Sequence, residues 1–296
     1  MKYVITGGAG NISKPLTEQL LKAGHQVTVI GRNAEHLKDL TAAGATAAIG
    51  SVEDIAFLTK TFTGANAVYT MIPPNFGAPD LKAHIIKIGK NYTEAIKASG
   101  VKYVVNLSSI GAHLPEGAGP VSALHFVEEA FNSLKDVNVL HLRPGYFFFN
   151  LLGNIGMVKQ ANIIGANFGS GDDKIVLVNP PDIAPVAAEA LLSLNFTGHS
   201  IKYIASDERT GADIAKVLGN AIGKSDLPWI KFRDEDAYNG MLQAGFPPEI
   251  ASNYRDMGQV MNNGTMFEDY WKHRPTMSKT KLEDFAKVFA AAYNGN

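Results

Sequence analysis

A glycine-rich turn near the start of the chain constrains the fold more than any other feature of the sequence. The segment Thr6–Ser13, TGGAGNIS, directly follows the apolar run Lys2–Thr6 and leads into an amphipathic stretch. Gly7 allows a tight turn at the end of a strand, and Gly10 lets backbone approach a ligand closely. Because the first amides of the following helix face an anion with a favourable dipole, the pattern is typical of a diphosphate site.

Short β-rich runs alternate with amphipathic segments through the first half of the chain, which favours a parallel sheet covered by helices. The predicted strands are Lys2–Thr6, Gln26–Ile30, Thr46–Ile49, Ala67–Met71, Tyr103–Leu107 and Asn138–Leu142. The predicted helices are Ser13–Ala23, Ala34–Ala43, Ile55–Phe62, Pro79–Ala98 and Val121–Ser133. The predicted fold class is therefore α/β, a Rossmann doubly wound parallel sheet.

After Asn150 the regular alternation of β-rich runs and amphipathic segments ends. Further strands are predicted at Ile175–Val178 and Ile201–Ile204, and further helices at Pro180–Leu194, Gly211–Ile222 and Lys279–Tyr293. Residues 225–264 have little β character and are predicted to be helical. We expect a Rossmann domain at residues 1–150, with 174–206 completing its sheet. Residues 151–173 and 207–296 are expected to form a smaller, mainly helical C-terminal substrate lobe.

The tip of the second predicted strand bears on the choice between two dinucleotides. A site for NAD(H) places Asp or Glu there, where the carboxylate binds the ribose hydroxyls. In this chain Gly31-Arg32-Asn33 follows the strand, without an acid, and the guanidinium of Arg32 suits a 2′-phosphate. A solvent-facing Arg at the start of a loop is the alternative interpretation. The sequence predicts NADP(H) as the cofactor, with NAD(H) less favoured.

Composition excludes several classes of protein. The 296 residues carry a formal net charge of −1 and contain no cysteine, which leaves no basic surplus for nucleic acid and no thiolate chemistry. The eight histidines show no paired ligand spacing, so no metal site is predicted. With no long apolar run and no visible signal peptide, we expect a cytoplasmic protein without membrane contact. The expected partner is a small-molecule substrate or ligand, and no pattern indicates an oligomeric state.

Three later motifs, together with the glycine turn and Arg32, resemble the NmrA-like branch of the atypical short-chain dehydrogenases. The motifs are Asn106–Ala112 (NLSSIGA), Leu142–Phe147 (LRPGYF) and Pro181–Ala188 (PDIAPVAA), and the resemblance covers roughly residues 1–206. It implies a Rossmann fold, an NADP(H) site and a small C-terminal substrate lobe. Members are either NAD(P)H-dependent reductases of small carbonyl, quinone or phenylpropanoid-type substrates or non-catalytic redox sensors.

The resemblance also implies, position by position, which residues meet each part of the cofactor. The pyrophosphate would be lined by Gly7, Gly10, Asn11 and Ile12. The adenosine phosphate would meet Arg32 and Asn33. The ribose would be bordered by Met71, Ile72 and Pro73. The nicotinamide side would be approached by Ser108, Pro144 and Tyr146.

The usual proton donor of the resembled enzymes is missing from this sequence. Ordinary short-chain dehydrogenases use Ser together with Tyr-x-x-x-Lys, and isoflavone-reductase-like relatives use a lysine. Ser108 stands at the expected strand end, but no Tyr or Lys occurs from Val104 to Leu134. His125 takes the place of the tyrosine and Glu129 that of the lysine.

This replacement has two interpretations. His125 and Glu129 share a helix face, and a carboxylate stabilises a protonated imidazole, which makes His125 and Ser108 the candidate catalytic residues. Alternatively, the pair marks a loss of catalysis, because a negative Glu129 does not replace a cation that holds ribose. His113, expected as an exposed loop residue, and Tyr146, expected as an aromatic wall, are further donor candidates.

Two functions therefore remain open from the sequence. One is an NADP(H)-dependent reductase of a small apolar carbonyl or quinone substrate. The other is a non-catalytic NADP(H)-sensing regulatory protein of the NmrA type.

Overall fold

The computed structural model describes residues 1–295. The strands are β1 Lys2–Ile5, β2 Gln26–Gly31, β3 Thr46–Ile49, β4 Ala67–Thr70, β5 Tyr103–Leu107, β6 Asn138–Pro144, β7 Tyr146–Phe147, β8 Ile164–Ala166, β9 Ile175–Val178, β10 His199–Ile204, β11 Asp207–Arg209 and β12 Trp229–Lys231. The α-helices are α1 Ser13–Lys22, α2 Lys38–Ala42, α3 Ile55–Phe62, α4 Leu81–Ser99, α5 Pro120–Asn132, α6 Ile155–Ala161, α7 Ile183–Ser193, α8 Gly211–Ala221, α9 Asp234–Gln243, α10 Pro248–Asn262, α11 Glu268–Lys272 and α12 Leu282–Asn294. Short 3₁₀ turns lie at Glu35–Leu37, Phe148–Asn154, Pro180–Asp182 and Thr265–Phe267.

Seven strands form the main sheet, in the order β10-β6-β5-β4-β1-β2-β3. The pairing is parallel on both sides of β1, where Ile5 lies opposite Val29 of β2 and Tyr69 of β4. The chain first builds the sheet toward β3 and then returns to the other side of β1, so the topological switch point lies between β1 and β4. Ligands of such sheets bind beyond the carboxyl ends of the strands at this point. The predicted Rossmann fold is confirmed.

The central strands are buried on both faces, as parallel strands covered by helices must be. Tyr3, Val4 and Ile5 of β1 are almost fully buried, and the same holds for the apolar residues of β4. Asp54 caps α3 by accepting from the Phe57 amide. This cap fixes where α3 begins.

Contacts divide the chain into two compact units. The first unit comprises Met1–Ser109, Ala123–Arg143 and Pro181–Lys202. The second comprises Ile110–Ser122, Pro144–Pro180 and the chain from Tyr203 onward. This division differs from the predicted domain boundaries, because residues 110–122 and 144–150 belong to the second unit.

The prediction that residues 174–206 complete the Rossmann sheet is wrong for β9. That strand pairs in parallel with β7 and antiparallel with β11, forming a three-stranded sheet of its own. The edge position beside β6 is taken by β10 instead.

The second unit also contains a strand that the sequence did not predict. This strand, β12, lies within residues 225–264, which were expected to be helical, and it pairs in parallel with β8. The helices α9 and α10 follow it, as expected. A strand of 3 residues is too short to show an alternating pattern. None of the helices within residues 1–295 combines the length and the apolar character needed to cross a bilayer.

Candidate functional site

The glycine turn after β1 requires glycine at position 7 for two separate reasons. Gly7 has φ +91°, in the left-handed region that L side chains rarely adopt. A Cβ there would also lie 2.5 Å from Ser13 Oγ and 2.9 Å from Met71 Cγ. A Cβ at Gly10 would lie 3.1 Å from the Gly7 carbonyl oxygen. The turn is thus a cradle of bare backbone, as the sequence predicted.

Hydrogen bonds from side chains hold this turn in shape. Dinucleotide-binding turns of the G-x-G-x-x-G type usually have a third glycine at the position of Ser13. The Ser13 Oγ donates to the Thr6 carbonyl at 2.8 Å. The Thr6 hydroxyl accepts from the Met71 amide at 2.9 Å, and the Tyr92 hydroxyl donates to the Met71 carbonyl at 2.8 Å. Both backbone polar groups of Met71 are therefore fixed beside the turn.

The start of α1 is suited to an anion. Ile12 precedes the helix, and no side chain among residues 1–295 caps its first turn. The free amides at a helix start carry partial positive charge and bind phosphate groups. The Lys14 amide already donates to the Gly10 carbonyl at 2.9 Å, so the bare turn and the amides of Ile12 and Ser13 are the groups that fit the diphosphate of a dinucleotide.

Arg32 and Asn33 follow β2, and both are exposed. Within residues 1–295, Arg32 makes no hydrogen bond or ion pair, since the nearby acid Glu35 pairs with Lys38 instead. Asn33 Oδ1 accepts from the Glu35 amide at 2.9 Å, which leaves its amide nitrogen available. The strand tip therefore presents an unengaged guanidinium and an amide donor.

A buried ion pair lies beneath Ser108, directly after β5. Glu128 of α5 and Arg143 of β6 have side chains only 6% and 5% exposed. Arg143 Nε donates to Glu128 Oε1 at 3.0 Å and its Nη2 donates to Oε2 at 2.6 Å, so the pairing is bidentate. Ser108 Oγ donates to Glu128 Oε1 at 2.5 Å. The carboxylate therefore joins the ends of β5 and β6 to α5.

Sequence reasoning missed Glu128. The available signal was its position in an apolar helical stretch, between Val127 and Phe131, because a carboxylate on a buried face must have a charged partner. The arginine of the LRPG motif was such a partner, but the spacing alone does not identify it.

A series of hydrogen-bonded polar side chains runs across the sheet next to this ion pair. Thr70 Oγ1 donates to Asn106 Oδ1 at 2.9 Å, Asn106 Nδ2 contacts His141 Nδ1 at 3.1 Å, and His141 Nε2 contacts Asn132 Oδ1 at 3.0 Å. Burial lowers the pKa of His141 to about 4, against the opposing charge of Glu128. The neutral ring thus links β5 to the end of α5.

The candidate proton donors lie in different surroundings. His125 of α5 is about a quarter exposed, with side-chain exposure of 24%, and its Nε2 lies 3.5 Å from Glu129 Oε1. His113 is half-buried, contrary to the expected exposed loop position, because its Nε2 contacts the Thr265 carbonyl at 3.2 Å. Burial raises the pKa of Tyr146, which packs edge-on against Phe168.

The predicted cofactor and catalytic residues are divided between the two units. The first unit holds those that follow β1, β2, β4 and β5 or lie on α5: Gly7, Gly10, Asn11, Ile12, Arg32, Asn33, Met71, Ile72, Pro73, Ser108 and His125. Pro144 and Tyr146 belong to the second unit. The roles assigned to these residues stay predictions. In the part of the chain that the structure describes, no cluster of three or more His, Asp or Glu could hold a metal ion.

Comparison with known proteins agrees with this geometry. Residues 7–139 match a family model described as NAD(P)H-binding. An NAD(P)H azoreductase of Xenophilus azovorans is 23% identical over 256 residues, covering 86% of this chain and 85% of the relative. These matches support the resemblance to the NmrA-like atypical short-chain dehydrogenases.

Solved structures share the fold of this chain at low sequence identity. An NADPH-dependent quinone oxidoreductase of Escherichia coli, complexed with NADPH, is 22% identical with a TM-score of 0.82, and the match covers 97% of this chain and 99% of that one. The negative transcriptional regulator NmrA, in complex with NAD, is 12% identical with a TM-score of 0.72, covering 97% and 94%. Proteins with this fold thus include both a reductase and a regulator.

Proposed function

We propose that this chain is an NADP(H)-dependent reductase of a small, apolar carbonyl or quinone compound. His125 and Glu129 on α5 carry the proposal, because they place an imidazole and a carboxylate 3.5 Å apart where short-chain enzymes have their tyrosine and lysine. The bound reduced nicotinamide supplies a hydride. The chain itself must hold the substrate and deliver a proton to the developing alkoxide, and a protonated His125 can do so.

Two observations support an apolar substrate and a reductase activity. Helix α9 of the second unit has no buried residue, yet it carries the half-exposed side chains of Tyr238, Met241 and Leu242. Apolar surface of this kind is typical of ligand-binding lobes. The relatives that bear reductase names, an azoreductase and a quinone oxidoreductase, favour the same chemistry.

Turnover tests this proposal directly. We expect the purified protein to oxidise NADPH in the presence of at least one member of a panel of quinones, azo compounds and small carbonyls. His125→Ala should lower kcat by about 10²–10⁴-fold, the usual contribution of a general acid, with little change in NADPH affinity. His84→Ala on α4 is the matched control and should behave as the wild type. Tight NADPH binding without turnover of any compound would contradict the reductase.

A regulatory protein is the second candidate, because Glu129, in the place of the ribose-holding lysine, is a carboxylate with 63% side-chain exposure. In that case the panel yields no turnover, His125→Ala leaves cofactor affinity unchanged, and a partner protein associates differently with the NADPH and NADP⁺ forms. The same purified protein and the same variant therefore separate the two candidates.

Preference for NADP(H) over NAD(H) is a separate proposal, based on the unengaged guanidinium of Arg32. We expect Arg32→Ala to weaken NADPH binding about 10- to 100-fold, because charge-assisted hydrogen bonds to the 2′-phosphate are lost. NADH binding should be unchanged, since NADH lacks that phosphate. Calorimetric titration of both nucleotides measures the ratio, with Lys22→Ala at the other end of α1 as control. An unchanged ratio in Arg32→Ala would remove the basis for the NADP(H) assignment.

A further inference from the structure

The carboxylate of Glu128 determines whether the Ser108 hydroxyl can donate a hydrogen bond to a ligand or only accept one. Its hydroxyl has one proton and two lone pairs, and the proton is donated to Glu128 Oε1. An ionised carboxylate has no proton to offer in return. The lone pairs of Ser108 Oγ are therefore the part of the hydroxyl that remains for another partner.

Arg143 keeps this arrangement fixed. Its guanidinium pairs with both carboxylate oxygens of Glu128, in a site from which water is almost excluded, and so holds that carboxylate in place beside Ser108. Rotating the Ser108 proton toward a ligand would leave an acceptor position of a buried carboxylate unfilled, which is costly. Ser108 is thus held as a hydrogen-bond acceptor.

The position of Ser108 indicates which donor it meets. In the sheet order, β5 is separated from β1 by β4 alone, and neighbouring strands lie about 4.8 Å apart. Ser108 follows β5 at the carboxyl edge of the sheet, about 10 Å across the strands from the glycine turn. A dinucleotide whose diphosphate rests on that turn extends along this edge, and its nicotinamide ring carries one N–H donor group, the carboxamide.

On the basis of the proposed function, we infer that Ser108 accepts a hydrogen bond from the nicotinamide carboxamide, and that Glu128 is the positioning residue that imposes this polarity. Here Ser108 helps to orient the nicotinamide and does not protonate the substrate. The proton for the product is left to His125.

Binding of a cofactor analogue tests this inference without any turnover. In the 3-acetylpyridine analogue of NADP⁺ an acetyl group replaces the carboxamide, so the N–H donor is absent while size and charge are retained. We expect the wild type to bind the analogue about tenfold more weakly than NADP⁺, the effect of one lost hydrogen bond that leaves a polar group unpaired. Ser108→Ala should bind both nucleotides equally, whereas Ser133→Ala, at an exposed serine of the same unit, should retain the tenfold ratio.

A second variant examines the role of Glu128. In Glu128→Gln the amide can donate to Ser108 Oγ, which occupies a lone pair and frees the Ser108 proton. The ratio between NADP⁺ and the analogue should then fall toward one in the folded variant. A merely structural role of Glu128 would weaken both nucleotides alike and leave the ratio unchanged.

Each possible result either supports the inference or overturns it. Equal binding of both nucleotides by the wild type, or a ratio that persists in Ser108→Ala, would overturn it. If Glu128→Gln does not fold, the Ser108→Ala ratio still decides. Failure of the proposed reductase activity would leave these dissociation constants measurable, so the two failures are distinguishable.

Discussion

Replacing Arg143 with methionine is expected to lower the free energy of unfolding by about 3–5 kcal/mol. The substitution leaves the carboxylate of Glu128, whose side chain is only 6% exposed, without its cation, and an unpaired buried charge is strongly destabilising. Urea denaturation followed by circular dichroism measures the change. A loss below about 1 kcal/mol would contradict the burial and pairing described for these two side chains.

Two further variants distinguish the destabilisation caused by one unpaired buried charge from the net contribution of the ion pair to the free energy of unfolding. Lys87→Met removes one partner of an exposed ion pair with Glu53, where the side chains are 58% and 47% exposed, and should cost less than about 1 kcal/mol. The double variant Glu128→Leu with Arg143→Met removes both buried charges. It should be clearly more stable than the single Arg143→Met, because apolar side chains of similar volume often replace a buried pair without loss.

Substitution of Gly7 by alanine is the second change for which we expect a large effect. NADPH affinity should fall about 10- to 100-fold, because the left-handed backbone costs an L residue about 1–2 kcal/mol and the new methyl group displaces Ser13 and Met71 from the turn. Displacement of these side chains moves the amides that are proposed to bind the diphosphate. Calorimetric titration with NADPH measures the loss.

Gly24→Ala provides the matched control for this variant. Gly24 has φ +81°, close to that of Gly7, but nothing lies within 4 Å of its Cβ position. The control therefore carries the same backbone cost without the steric conflict. It should lower stability slightly and leave NADPH affinity unchanged, and equal affinity losses in both variants would show that the cradle is not the binding site.

The Rossmann half of the fold could be predicted because its signals are local. The glycine turn follows β1 at once, and β3 and β5 have the bounds that the β-rich runs indicated. The short strands could not be predicted in this way. β7 and β11 have only 2 and 3 residues, so neither contains enough positions for an alternating pattern, and tertiary pairing alone defines them.

The candidate site was predictable only in part, for the same physical reason. Gly7 and Arg32 could be identified because turn chemistry and strand tips are read from neighbouring residues. Glu128 could not, because its partners Ser108 and Arg143 lie 20 and 15 positions away along the chain. Only the packing of α5 against the ends of β5 and β6 brings the three side chains together.

The ion pair between Glu128 and Arg143 also restricts how this sequence can change over evolutionary time. A lineage that loses one of the two charges first must pass through an intermediate with a stability deficit of about 3–5 kcal/mol, a large share of the 5–15 kcal/mol that folded domains usually possess. Substitutions at these two positions are therefore coupled. Homologues should either keep both charged residues or have neutral side chains at both positions.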